Sequence, residues 1–379
     1  MKVGYIGAFK HPTGYGEATR SHVKAIQIAG SEVFAKLNHA NFGGMENELM
    51  HDEEIDAMLE RGKGEPPADF WVWHVTPDDT GLITGKPNFL YSVWETHGLP
   101  YGWADRCNQM DGLLTCSDFS AGLFREGGVT KPIVVAPHPI DVDFFKPAEG
   151  ESPIRQIFPG VDTLFLVVAQ WMPRKGIEDI LAAYGAEFEP DEKVGLVLLV
   201  WRWGHSVNER RACKGYSKEI LGRLNKSVAK VWHLGDKVSP VVLAQLYQAA
   251  DVLVSASRGE AFSLPIFEAA ASGTPSISTG WGGMWDFLTD DMGYRVAYDI
   301  ETVNNVGAKW KHYNAHQKWA RVRLDDLRRA MREAHENPEQ RKQKGLLASQ
   351  MVRERLNPAT TGKQMVEALQ TLLDTKTQT

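Results

Sequence analysis

Two glutamates, Glu260 and Glu268, flank the seven-residue run Ala261-Phe262-Ser263-Leu264-Pro265-Ile266-Phe267. A carboxylate accepts two hydrogen bonds at once, which suits it to paired donors. Near a helix start it also offsets the dipole, and that plain structural role is the alternative for Glu260. For Glu268 the alternative is an exposed helical glutamate. Ala269-Ala270-Ala271 argues against that, because three small residues imply a closely packed helix. Two turns precede helices: Gly14-Tyr15-Gly16 before the first, and Phe262-Ser263-Leu264 before the helix carrying Glu268. A helix opening after such a turn presents unpaired N–H groups and a positive dipole end to phosphate or hydroxyl oxygens. The side chains of Phe262 and Leu264 also read as core packing, and the two readings are compatible. Lys175 offers a point charge for an anion, with Arg174 beside it and Arg202 between Trp201 and Trp203.

The elements that must hold these residues alternate in type. Apolar strand-length runs are separated by helical patterns, the mark of parallel α/β architecture. Strands are predicted at Val3–Ala8, Phe70–Val75, Phe89–Val93, Gly112–Cys116 and Ile133–Ala136. A glycine-rich turn, Thr13–Gly16, leads into a helix at Glu17–Ile28. A second series has strands at Thr163–Ala169, Gly195–Val200, Val231–Leu234, Val252–Ser255 and Pro275–Ser278. Its helices include Ile177–Tyr184, Pro240–Gln248 and Leu264–Ala271. The rhythm restarts after a charged, proline-containing linker near 145–160, without sequence repeat. The predicted organisation is a Rossmann-like domain over 1–150, a second over 151–355 and a C-terminal helix over 356–379 that packs back on the first. From Arg321 onward the chain reads as helical, without strands. Its many basic residues, Arg328, Arg332, Arg341 and Lys344 among them, read as a solvated face.

Beyond these generic features, Glu260 to Pro275 resembles the signature of retaining glycosyltransferases of the GT-B fold, family 4. Ser255-Ala256-Ser257-Arg258-Gly259 before it and Gly280-Trp281-Gly282-Gly283 after it also fit. So do Gly14-Tyr15-Gly16, Trp94-Glu95-Thr96, Cys116-Ser117-Asp118, Pro137-His138-Pro139 and Lys175-Gly176, in order along most of the chain. The resemblance implies two doubly wound domains facing each other across a cleft, with a nucleotide-sugar donor at the carboxyl ends of the second domain's strands. It implies that Glu260 contacts donor-sugar hydroxyls and that the N–H groups of Phe262, Ser263 and Leu264 bind sugar hydroxyls. Glu268 would accept both ribose hydroxyls, and Lys175 would stabilise the leaving diphosphate. Gly14, Tyr15 and Gly16 would approach the donor from the first domain.

Two positions depart from the family pattern. The arginine usually found five residues before the lysine is Gln170 here, so Arg174 or Arg202 would have to supply that charge. The histidine usual after the strand at Phe89–Val93 is replaced by Trp94-Glu95. Glu95 then holds a hydroxyl or assists acceptor deprotonation, with a capping or ion-paired glutamate as the alternative; His74 and His97 are nearby candidates. The implied route is front-face attack with retention, since no side chain is an evident nucleophile. Rival readings are a non-catalytic nucleotide-sugar-binding scaffold, or another GT-B enzyme such as a nucleotide-sugar epimerase. Relatives grip the base around His233-Leu234-Gly235-Asp236-Lys237-Val238. Asp141-Val142-Asp143 has the spacing of a metal-binding Asp-x-Asp but follows no suitable strand. It reads as structural, and no metal or cofactor is expected.

Composition bounds the partners. With 42 Lys and Arg against 48 Asp and Glu, the net charge of −6 argues against a broadly basic nucleic-acid coat. A saccharide, small metabolite, lipid or modified nucleic-acid base all stay open as the hydroxyl acceptor. Cys107, Cys116 and Cys213 form neither a disulfide framework nor a metal-ligand pattern, so reduced thiols in a cytoplasmic protein are expected. No signal peptide or membrane-spanning run is visible. Of the 12 tryptophans, Trp94, Trp281 and Trp285 lie on the inferred site loops.

Overall fold

The computed structural model describes residues 1–38, 50–202, 207–234, 238–304, 306 and 312–377. Trp203 and the base-grip residues Gly235, Asp236 and Lys237 lie outside the described residues. The first elements are β1 (Lys2–Gly7), α1 (Gly14–Ile28), β2 (Glu32–Leu37), α2 (Glu53–Arg61), β3 (Phe70–His74), β4 (Asn88–Tyr91), α3 (Trp103–Asn108), β5 (Gly112–Thr115), α4 (Asp118–Glu126) and β6 (Ile133–Val135). Then come β7 (Thr163–Gln170), α5 (Ile177–Glu187), β8 (Val194–Trp201), α6 (Val207–Gly222), β9 (Lys230–Leu234), α7 (Pro240–Ala249), β10 (Val252–Ser255), α8 (Leu264–Ala271), β11 (Ser276–Thr279) and β12 (Gly293–Val296). The chain continues through β13 (Tyr298–Thr302), β14 (Lys318–Val322), α9 (Leu324–Glu336), α10 (Pro338–Arg355) and α11 (Pro358–Thr377).

Two compact units result: Met1–Asp141 with Glu354–Thr379, and Val142–Arg353. The first holds a six-stranded sheet of order β2-β1-β3-β4-β5-β6, parallel throughout. Strands β4 and β5 are buried at every residue, as central parallel strands covered on both faces must be. Helix α11 lies along α1, and Gly362 makes that approach close: a Cβ there would overlap the carbonyl oxygen of Ala25. Lys376 Nζ reaches Asp111 Oδ1 at 2.8 Å.

The second unit repeats the plan with order β12-β11-β10-β7-β8-β9, again parallel. Its core joins Phe165, Val167, Leu196 and Leu198 of the sheet to Ile180 and Tyr184 of α5, Phe188 just beyond it, and Leu327 and Met331 of α9. The strand order reverses between β7 and β10, and in the first unit between β1 and β3. At such a switch point the loops leaving the carboxyl ends diverge and open a crevice.

Three expectations are corrected here. The helix expected from Glu17 begins at Gly14, so the glycine-rich stretch is its first turn, capped by Thr13 Oγ1 accepting from Gly16 N–H at 3.2 Å. The tail is not strand-free from Arg321: Arg321 and Val322 close β14, which pairs antiparallel with β13. Nor is all of its basic character a solvated face, although Arg329, Lys342 and Arg355 are exposed. Arg341 is buried and reaches Asp251 Oδ1 at 3.0 Å, and Lys344 is buried against the carbonyls of Asp290 and Gly293. Arg332 binds Glu187 and Glu192. These cations tie α9 and α10 to the sheet because buried carbonyls and carboxylates require donors. The three cysteines are free and buried. Among the described residues, no helix is long and apolar enough to cross a membrane.

Candidate active site

Three loops of the second unit converge at the switch point. After β7 the chain makes a single tight turn, Pro173–Lys175, then passes Gly176 in the left-handed region at φ 60°. A side chain at Gly176 would run into the carbonyl oxygen of Ala256, so glycine lets this loop lie against the end of β10. The two loops are stitched by backbone: Arg258 N–H donates to Arg174 O at 2.6 Å, and Ser257 Oγ to the same oxygen at 3.3 Å. The loop after β11 adds Gly283 N–H, which donates to Glu260 O at 2.8 Å.

That frame presents Glu260 to two cations. Lys175 Nζ stands 2.5 Å from Oε1, and Arg174 Nη1 stands 3.2 Å from Oε2 while also donating to Gly259 O. Glu260 is 7% exposed. Burial alone would raise its pKa, but Lys175 and then Arg174 outweigh it and hold the carboxyl at about 2. Glu260 is therefore an anion at any working pH.

Two residues further into the same loop, Phe262 turns inward against Phe267 (4.4 Å between ring centres) and Phe287 (5.5 Å). Its side chain is core, leaving only its backbone for a ligand. Ser263 then takes φ 77°, ψ 80° before α8, an uncommon state for a residue with a side chain. With no side-chain cap and Pro265 in the first turn, α8 opens with its early amides outside the helical ladder. Leu264 is half-buried. A cavity of about 20 Å³, room for about one water, lies beneath this opening, with Lys175, Glu260, Ser255 and Ser263 in its wall.

Glu268 sits in the second turn of α8 and is 9% exposed, so the solvated alternative is excluded. Tyr247 of α7 donates its hydroxyl to Oε2 at 2.8 Å. Burial, reinforced by Glu268, pushes the Tyr247 hydroxyl well above the usual tyrosine range, so it stays a donor. Sequence reasoning missed Tyr247. Its signal is a tyrosine among the buried positions of an apolar helix, where the hydroxyl needs a partner.

Arg202 follows β8 and lies over the ring of Tyr216, 5.5 Å from its centre. His233 of β9 is half-buried, and burial, then Lys214 and Lys218, lowers its pKa to about 4. Trp285 donates to Thr279 O at 2.7 Å and stacks with Arg295 at 4.0 Å, while Trp281 is buried.

In the first unit, Gly14 is exposed and begins α1, while the amide of Gly16 is already committed to Thr13. Tyr15 folds inward, its ring 5.8 Å from His74, and burial raises its pKa. Glu95 is buried within electrostatic reach of Tyr15 and Cys116. His74 binds Tyr5 Oη through Nδ1 at 2.9 Å inside a buried cluster with His22, Tyr91 and His138. His97 is half-buried beside Glu126, at 3.3 Å.

Residues 162–305, all within the second unit, match the family described as Glycosyl transferases group 1. Over that stretch the chain is similar to group 1 glycosyltransferases. The MMP alpha-(1->4)-mannosyltransferase of Mycolicibacterium hassiacum is 26% identical over 185 residues, 48% of this chain and 40% of that protein. The chain thus matches less than half the length of this curated relative. Among solved structures, sucrose-phosphate synthase from Thermosynechococcus elongatus superposes with a TM-score of 0.69 at 17% identity, covering 99% of this chain and 100% of the other. Anabaena Alr3699/HepE, solved in complex with UDP and glucose, gives 0.67 at 15% identity over 98% and 100%. At these identities the likeness is one of fold: a GT-B architecture of two doubly wound α/β units.

Proposed function

We propose that this chain is a retaining glycosyltransferase that moves a sugar from a nucleotide-diphosphate sugar to a hydroxyl acceptor. The observation that carries the reading is the Lys175–Glu260–Arg174 arrangement, set directly before the opening of a helix that holds Glu268 buried with one oxygen on Tyr247. In this reading Glu260 receives sugar hydroxyls, and the amides of Phe262, Ser263 and Leu264 donate to the sugar. Glu268 receives the ribose hydroxyls, and Lys175 meets the diphosphate. In the first unit, Glu95 serves the acceptor. The anomeric carbon–oxygen bond to the diphosphate breaks, the acceptor oxygen bonds from the same face, and its proton passes to the departing phosphate oxygen. Positioning and charge stabilisation carry the catalysis, with no metal among the reactants.

UDP-linked sugars stand first among donors to test, because the HepE structure holds UDP, and GDP-linked sugars stand next. Thermal shift with a panel of nucleotide-sugars is the first measurement, since a ligand that binds only the folded state raises its melting temperature. A shift with one nucleotide class, lost in Glu268→Ala and Lys175→Ala, supports the donor site. The absence of any shift overturns it. Product analysis with that donor then tests transfer, and the anomeric configuration of the product tests retention. Binding without turnover on any acceptor would favour the scaffold reading, which Gln170 in place of an arginine motivates. Conversion of the donor sugar without an acceptor would favour an epimerase.

A further inference from the structure

The two cations after β7 share one carboxylate. Lys175 and Arg174 both pair with Glu260, so the trio carries a single net positive charge. The diphosphate of a nucleotide-sugar carries two negative charges, so half of that charge is unmatched by the directly paired groups. Gln170, the last residue of β7, is neutral.

The neighbouring strand supplies the missing cation. Gln170 stands in register with Trp201, the last residue of β8, so Arg202 leaves the sheet at the same edge, one strand across from the Lys175 loop. Its guanidinium lies 5.5 Å from the ring centre of Tyr216, with Nη1 3.4 Å from the Tyr216 hydroxyl. Tyr216, from α6, packs 5.9 Å from Trp171, the residue after Gln170. Trp171 is itself anchored: its N–H donates to Trp201 O at 2.6 Å and its Nε1–H to Glu178 Oε1 at 3.2 Å. Arg202 is therefore oriented by aromatic faces. Among the described residues no carboxylate pairs with it, so its charge is unspent. Arg174 is the opposite case, turned onto Glu260 and the Gly259 carbonyl.

We propose that Arg202, seated on Tyr216, which itself packs against Trp171, is the second cation for the donor diphosphate, and that Arg174 is a positioning residue for Glu260. This rests on the donor-site reading above. The test is calorimetric titration of the full chain with UDP, GDP and ADP, each beside its monophosphate. For the best diphosphate, Arg202→Gln should weaken binding by about tenfold to a hundredfold, the range of a charge-assisted hydrogen bond. The monophosphate should change by less than about threefold, so the preference for diphosphate over monophosphate shrinks. Arg202→Lys should restore part of that preference, and Tyr216→Leu should lower it, because the guanidinium loses its seat. Unaltered diphosphate affinity in Arg202→Gln overturns the proposal, as does an equal loss for mono- and diphosphate. If the unaltered chain binds none of these nucleotides, the donor-site reading itself fails, an outcome distinct from the other two.

Discussion

Lys175 Nζ and Glu260 Oε1 meet at 2.5 Å although 85 residues separate them, because their loops leave adjacent strands at the point where strand order reverses. Replacing Glu260 by Gln removes the buried anion between two half-buried cations. Turnover should fall by about 10² to 10³, the cost of deleting one preorganised charge partner. The pH dependence of stability follows from the depressed carboxyl. Its contribution is complete above the ordinary carboxylate range and is lost as pH falls from about 4.5 toward about 2. Urea unfolding of wild type and Glu260→Gln should therefore differ most at pH 7, and the gap should narrow steadily as pH falls from about 4.5 toward about 2; a constant gap would contradict the assignment.

Tyr247→Phe removes the hydroxyl that holds Glu268 Oε2. The carboxylate stays buried with one hydrogen bond fewer, which costs about 1–3 kcal/mol of stability. Chemical denaturation measures that loss. If Glu268 receives the ribose, nucleotide affinity should fall in the same variant.

Ser263 sits at φ 77° immediately before α8. Glycine accepts that geometry without strain, whereas a β-branched residue does not. Ser263→Gly should match or exceed wild-type stability, by up to about 1 kcal/mol, and Ser263→Val should lose more than that. Melting temperatures of the two variants check the ordering. Equal losses in both would mean that the serine hydroxyl, not the backbone, matters.

The buried histidines of the first unit set an acid limit. Burial pushes His138 down to about 3 and lowers His22 and His74 well below the ordinary histidine range, with neighbouring histidines adding to the shift in the latter two. They fold neutral, while the unfolded chain takes up protons below pH 6.5. Stability is thus present above that pH and is lost as pH falls, by as much as about 1.4 kcal/mol per pH unit for each histidine. Thermal melts from pH 8 to pH 5 should show the decline, and His138→Gln should make it shallower.

Much of this was legible in the residues themselves. Strand β10 and helix α8 run over the predicted residues, since an apolar run bounded by turn residues, and a run of alanines beyond a proline, each admit one reading. Strand β2, Glu-Val-Phe-Ala-Lys-Leu, escaped because it is a sheet edge and carries charge at exposed positions. The β13–β14 pair escaped because half of β13 faces solvent and its partner lies beyond a long loop. Arg341 and Lys344 read as solvated because a charge in a helix normally is; their partners, Asp251 and the Asp290 and Gly293 carbonyls, lie more than 50 positions away. Two adjacent cations, Arg174 and Lys175, are indistinguishable by type. Only the fold turns both onto Glu260 and leaves Arg202 on an aromatic seat.

The return of α11 onto α1 gives the two units different histories on the ribosome. The second unit is one uninterrupted stretch, Val142–Arg353, and can fold as soon as it has emerged. The first starts earlier yet stays incomplete, with the α1 surface around Ala25 uncovered, until synthesis has passed α11. The half of the molecule that is made first is thus the half that is finished last.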